Sequence, residues 1–122
     1  MEWTFQPDRP IYAQLVEQIQ LGIVSGRYPA GSRLPSVREL AAEASVNPNT
    51  MQKALAELER SGLLHTQRTS GRFITEDQEM IETVRNNLAY EQIHKFLENM
   101  RKLGFDPAET MALMEKAAKE EY

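Results

Sequence analysis

Two helix-start signals fall close together near the middle of this chain, and the short stretch between them limits what it can fold into. The first is Ser36 with Glu39, an S-x-x-E capping box at the head of SVRELAAEA, in which a hydroxyl and a carboxylate each take up a backbone N–H at a helix start. The second is Asn47-Pro48, an N-cap followed by the residue that loses nothing at the first helical position, because it has no N–H to satisfy. Only Ala44, Ser45 and Val46 remain for the turn. Two short helices joined this tightly are expected to form a helix-turn-helix, in which the second helix is presented to a partner.

That second helix is predicted to run to about Arg60 and to stop at Ser61-Gly62. At about 100° per residue, Met51, Ala54, Leu55 and Leu58 share the face that must be buried. Asn49, Lys53, Ala56 and Arg60 stand opposite, with Thr50 and Gln52 on the shoulders. No carboxylate occurs between Ser45 and Ala56. A helix N-terminus ordinarily favours Asp or Glu, so an acid-free first turn suits an anionic partner. Amides can pair bidentately with adenine, Lys53 can reach guanine or phosphate, and Thr50 can bond a phosphate or touch a thymine methyl. By itself such a face is more often an ordinary solvated helix surface, and the preceding helix and following hairpin are what overturn that reading.

Upstream, Pro10 opens IYAQLVEQIQLGIVSG, an amphipathic helix with Ile11, Leu15, Ile19 and Ile23 on one side and Gly26 at its end. RYPAGSRLP is a loop, and the short helix after it turns Val37, Leu40, Ala41 and Ala44 inward. Arg38 sits in that helix's first turn, where a cation opposes the dipole unless a phosphate or a nearby Glu meets it. Downstream, LLHTQ and RFIT read as two strands of a hairpin across RTSG. Its tip, with Arg68, Thr69, Ser70, Gly71 and Arg72, offers two cations on small, flexible backbone, suited to a groove or to plain solvent.

From about Glu76 a long helix is predicted through Leu103, carrying Ile81, Val84, Leu88, Ile93, Phe96, Leu97, Met100 and Leu103 on or near one side. Gly104 ends it, and Asp106-Pro107-Ala108-Glu109 starts a last helix bearing Met111, Met114 and Ala118. So short a connection predicts an antiparallel helical hairpin. The fold class expected is mainly α with a small β-hairpin: a winged helix-turn-helix over residues 1–75 and a two-helix tail over 76–122.

The formal charge of -4 argues, taken whole, against a nucleic-acid partner. By segment it does not, because residues 1–75 hold eight Lys/Arg against seven Asp/Glu, and 76–122 hold six against eleven. The acidity belongs to the tail. The chain has no cysteine, so disulfides and thiolate metal sites are excluded. MEWTFQPDRP lacks the character of a signal peptide, and no apolar run approaches the roughly 20 residues a membrane span needs. The expected location is the cytoplasm, with no membrane partner.

The run from Pro10 to Thr75, through G-x-R-L-P-S-x-R-E-L-A and VNPNT, resembles the winged helix-turn-helix of GntR-type bacterial transcriptional regulators, and with its short helical tail is similar to the YtrA-like subgroup. The resemblance implies a homodimeric repressor that binds double-stranded DNA through Arg38, the start of the third helix (Asn47, Asn49, Thr50, Gln52, Lys53) and the wing (Arg68, Ser70, Gly71, Arg72). Many relatives carry arginines where this chain has Pro48 and Gln52, so the operator should be its own. The family's large effector domains do not fit after Thr75. The tail is implied to be the dimerisation module, through Ile81, Val84, Leu88, Phe96, Leu97, Met100, Met111 and Met114, and a two-helix unit this apolar cannot cover itself alone.

No catalytic set or phosphate-binding glycine loop appears, so neither an enzyme nor a cofactor is expected. Glu91 and His94 have an E-x-x-H spacing, but a di-metal site needs two such motifs and further carboxylates. An effector is not identified; Trp3, Phe5, Tyr90 and Phe96 could line a pocket or pack in a core. The rival from another class is a winged helix that turns the same face to an acidic protein partner.

Overall fold

Both central start signals are formed in the computed structural model, which describes residues 2 to 121. Ser36 Oγ accepts from the Glu39 N–H at 3.1 Å while the Ser36 N–H donates to Glu39 Oε1 at 3.2 Å, opening α2 (Val37–Ala44). Asn47 Oδ1 accepts from the Asn49 N–H at 2.7 Å, and Pro48 takes the first position of α3 (Pro48–Ser61). The reversal between them is made at Ser45, whose φ of 56° and ψ of 45° are left-handed and let the Val46 N–H reach the Ala41 carbonyl at 3.0 Å. Non-glycine residues seldom adopt that region. Here it is what keeps the turn short.

Helix α3 is the centre of the first unit. It packs along α1 (Ile11–Val24), against α2, and against β1 (Leu64–Gln67). Its Met51, Ala54, Leu55 and Leu58 are fully enclosed with Leu15, Ile19 and Ile23 of α1 and Leu40 and Ala41 of α2. Each buried leucine contributes about 1.5–3 kcal/mol relative to exposure. With two leucines, a methionine and an alanine buried on one side, the rotation of α3, and hence the stripe it shows outward, is fixed by packing. Ile11 differs from expectation, since at 38 % exposure it lies outside the core.

The wing pairs β1 antiparallel with β2 (Gly71–Ile74) in the register Leu64↔Ile74, His65↔Phe73, Thr66↔Arg72 and Gln67↔Gly71. Arg33 bridges Phe73 from the other side of β2, so the chain before α2 adds a short third edge. At the end of α3, Gly62 adopts φ 92°, and a Cβ there would come within 3.1 Å of the Met80 methyl. A left-handed cap and a close neighbour both call for glycine.

Before α1, residues 4 to 6 are strapped down by side-chain amides. Gln14 Oε1 accepts from the Gln6 N–H at 2.7 Å and its Nε2 donates to the Gln6 and Arg9 carbonyls, both at 2.9 Å. Gln18 holds both backbone groups of Thr4 in the same way. The buried Gln14 amide is thereby satisfied at both ends.

Helix α4 (Gln78–Lys102) begins after Asp77, whose Oδ1 accepts from the Met80 N–H at 3.1 Å. The chain divides into two compact units, Met1–Arg85 and Asn86–Tyr122, so that α4 spans the division. Ile81 closes the core of the first unit at 9 % exposure, and Val84 packs against that core. Both were expected at a dimer interface. The apolar side they continue is committed to the winged helix over the first two turns of α4.

In the second unit, Asp106 and Glu109 form a reciprocal capping box at 2.8 and 3.0 Å that starts α5 (Pro107–Glu121). The hydroxyl of Thr110 donates to the Asp106 carbonyl at 2.9 Å and is buried in the corner. Helices α4 and α5 thus form the two-helix unit that closes the chain, joined through residues 103 to 106. Thr110 is the one buried residue of α5 among those described, while Tyr90 (62 % exposed), Phe96 (40 %), Leu103 (71 %) and Met111 (59 %) stay open.

Candidate nucleic-acid interface

The packing that buries one side of α3 leaves Asn49, Gln52 and Lys53 exposed on the other, three and four residues apart and therefore on one stripe. Thr50 is half-buried at its edge. No acidic residue occurs in the first turn, and the first carboxylate reached along the helix, Glu57, is tied to Arg60 in an ion pair. The stripe is thus polar and cationic with no negative charge free on it.

Asn47 stands apart from that set. It is exposed, but its carbonyl oxygen is held in the cap, leaving only the amide NH2 for a partner. Its part is to fix where α3 begins.

Of the eight cations in residues 1–75, intramolecular pairing removes three. Arg9 is taken by Glu17, Arg60 by Glu57, and Arg72 by Glu59. Arg38 at the start of α2, Lys53 on α3, and Arg68 at the wing tip make no ion pair among the described residues, and each is exposed. Arg33 joins them. Sequence reasoning passed it over as loop, but the Arg33–Phe73 bridge carries its guanidinium beside Gly71, where a Cβ would lie 3.2 Å from Nε. A cation three residues before a capping box gives no local signal of this kind; only the wing's third edge puts it there.

Arg72 does the opposite of what its place in RTSGR suggests. Paired with Thr66 across the hairpin, it turns towards α3, where its Nε donates to Glu59 Oε1 at 2.5 Å and the Thr66 hydroxyl donates to the same oxygen at 2.6 Å. Its side chain is 19 % exposed and that of Glu59 31 %. Arg72 is therefore a brace between recognition helix and wing, and the wing tip presents Arg68, Ser70 and Gly71 instead. Burial pushes the Glu59 carboxyl up, but the hydrogen bonds from Thr66 and Arg72 and the guanidinium charge outweigh it, so the net displacement is downward.

A carboxyl depressed in the folded state stabilises the fold above the ordinary carboxylate range, and that contribution is lost as pH falls through the folded value. Glu59→Gln is accordingly expected to lower stability by about 1 kcal/mol at neutral pH, as for a partly exposed ion pair. The gap from the parent chain should shrink as pH falls below the ordinary carboxylate range. Urea unfolding at a series of pH values checks this; a gap that stays constant would show that the brace is not electrostatic.

Trp3 and Phe5 stack on each other at 6.4 Å and pack against the core of the first unit. Tyr90 and Phe96 belong to the second unit. Among the described residues no group of three or more metal-ligating side chains is gathered, and no helix is long and apolar enough to cross a membrane.

Residues 11–74 match the family described as bacterial regulatory proteins, gntR family. The chain is similar to the uncharacterized HTH-type transcriptional regulator YhcF of Bacillus subtilis, with 38 % identity over 91 % of this chain and 92 % of that protein. It is also similar to the HTH-type transcriptional repressor YtrA of Bacillus subtilis, 46 % identical over 56 % of this chain and 52 % of that one. Among solved structures, a GntR family transcriptional regulator from Listeria monocytogenes superposes with a TM-score of 0.85 at 42 % identity, covering 92 % of this chain and 98 % of that chain. The DNA-binding domain of AraR in complex with operator ORX1 superposes with a TM-score of 0.56 at 30 % identity, covering 62 % of this chain and 96 % of that chain. A winged helix-turn-helix built around α3, and similarity to such regulators over nearly the whole length, make this chain a member of the GntR family of bacterial regulatory proteins.

Proposed function

We propose that this chain is a sequence-specific DNA-binding transcriptional repressor that acts as a homodimer on a palindromic operator. The observation that carries this is the α3 stripe of Asn49, Gln52 and Lys53, exposed and without a free carboxylate, on a helix whose rotation the core fixes. Amides and a cation in that setting read base edges in a major groove. Arg38, Arg33 and Arg68 supply phosphate contacts that position the helix without reading sequence. The operator complex of the AraR domain and the repressor name of the YtrA relative support the same direction.

The apolar residues after Arg85 support self-association, with Phe96 of α4 and Met111 and Met114 of α5 exposed and Leu88, Leu97 and Met100 half-buried beside them. A twofold dimer would set two copies of α3 about 34 Å or a multiple apart on DNA, which requires an inverted repeat. Such a regulator works where the chromosome is, in the cytoplasm. The test is selection from a pool of random duplexes with the full-length protein, followed by fluorescence anisotropy at moderate salt. An inverted-repeat consensus bound well above scrambled duplex is the expected result. Absence of any sequence preference would falsify the proposal and favour a protein partner for the same face.

A further inference from the structure

We propose that Tyr12, on α1 and outside the helix-turn-helix, is a positioning residue for DNA recognition, because its ring holds the Lys53 ammonium at the α3 surface. This rests on the DNA-binding function proposed above. The Lys53 Nζ lies 4.6 Å from the centroid of the Tyr12 ring. Tyr12 is half-buried in the first turn of α1 and packs against the core, so the ring is held by the same packing that seats α1 along α3. Lys53 is exposed and shares its stripe with Asn49 and Gln52.

A lysine on a helix surface has a flexible four-carbon stem, and left free it samples many positions relative to a base edge. An aromatic face attracts the ammonium through the ring quadrupole without neutralising its charge or saturating its three donors. A carboxylate would also localise the ammonium, but at the expense of the charge that DNA requires. The ring therefore does for Lys53 what Glu59 cannot be allowed to do: it restrains the cation and leaves it available. Arg72, which faces Glu59 instead, is withdrawn from the partner. The consequence is specificity at one place in each half-site, because a lysine held over a fixed ring reaches one donor position reproducibly.

The experiment compares full-length parent, Tyr12→Phe, Tyr12→Leu, Lys53→Met and the Tyr12→Leu/Lys53→Met pair on the duplex selected by the parent. Tyr12→Leu is expected to weaken binding about two- to five-fold and to relax base preference at one position per half-site. Tyr12→Phe, which keeps the ring, should retain the parent's preference. In the Lys53→Met background, Tyr12→Leu should have no further effect on preference. Equal loss with and without Lys53, or an unchanged consensus for Tyr12→Leu, would overturn the positioning role. A parent that selects no consensus would instead overturn the DNA reading itself. If Tyr12→Leu melts early, NMR of the parent decides: the Lys53 ε-methylene protons should be shifted upfield by the ring current, and an ordinary lysine position would overturn the proposal.

Discussion

Ending the chain after Arg85 is expected to leave a folded monomer whose affinity for its operator is lower by about 10²–10⁴, the range lost when two linked binding events become independent. The fold should survive because the first unit's core closes within it. Ile81 lies at 9 % exposure among the leucines of α1 to α3 and the hairpin, and Val84 packs against them. Dimerisation should not survive, because Phe96, Leu103, Met111 and Met114 are removed together. A cut after Glu76 has a different cost. It also strips Ile81 and Val84 from the core, which should destabilise the winged helix by about 2–4 kcal/mol. Sedimentation velocity and thermal unfolding of the two truncated chains separate these effects. A stable dimer of residues 1–85 would place the self-association surface in the first unit and sink the assignment to the tail.

What the sequence made legible is what nearest neighbours decide. Ser36 with Glu39 and Asn47 with Pro48 announce α2 and α3 because a cap is a contact over three residues, and both form as anticipated. The outward stripe of α3 follows from helical period alone, since Met51, Ala54, Leu55 and Leu58 leave it only one way to face. The contacts that local sequence does not foretell all depend on partners far along the chain. Arg72 looks like a wing-tip cation until the hairpin register sets it beside Thr66 and both reach back to Glu59. Arg33 looks like loop until it bridges Phe73. Ile81 looks like the start of a tail because a helical pattern runs unbroken through it, and periodicity cannot say where one core ends.

The second large effect concerns salt. Raising it from about 50 to 200 mM should weaken operator binding by the proposed dimer about 10³-fold, because each phosphate contact contributes about 0.9 to the slope of log affinity against log salt. Arg33, Arg38, Lys53 and Arg68 are the cations of the α2, α3 and wing surfaces that no carboxylate in the described chain neutralises. With Lys53 assigned to base edges, two copies of the three arginines give a slope of about -5. Arg38→Ala should lower its magnitude by about 2 and weaken all sequences alike, while Gln52→Ala should leave it unchanged and relax base preference. Arg72 supplies the discriminating comparison. It neighbours Gly71 in a tip that also carries Arg68, yet its charge is already met by Glu59. Arg68→Ala should therefore lower the slope by about 2, as Arg38→Ala does, whereas Arg72→Ala should leave it nearly unchanged and act through loss of the brace. Equal changes for the two arginines would mean that the Glu59 pair opens when DNA binds, and that the free cations of the unbound chain do not define the interface.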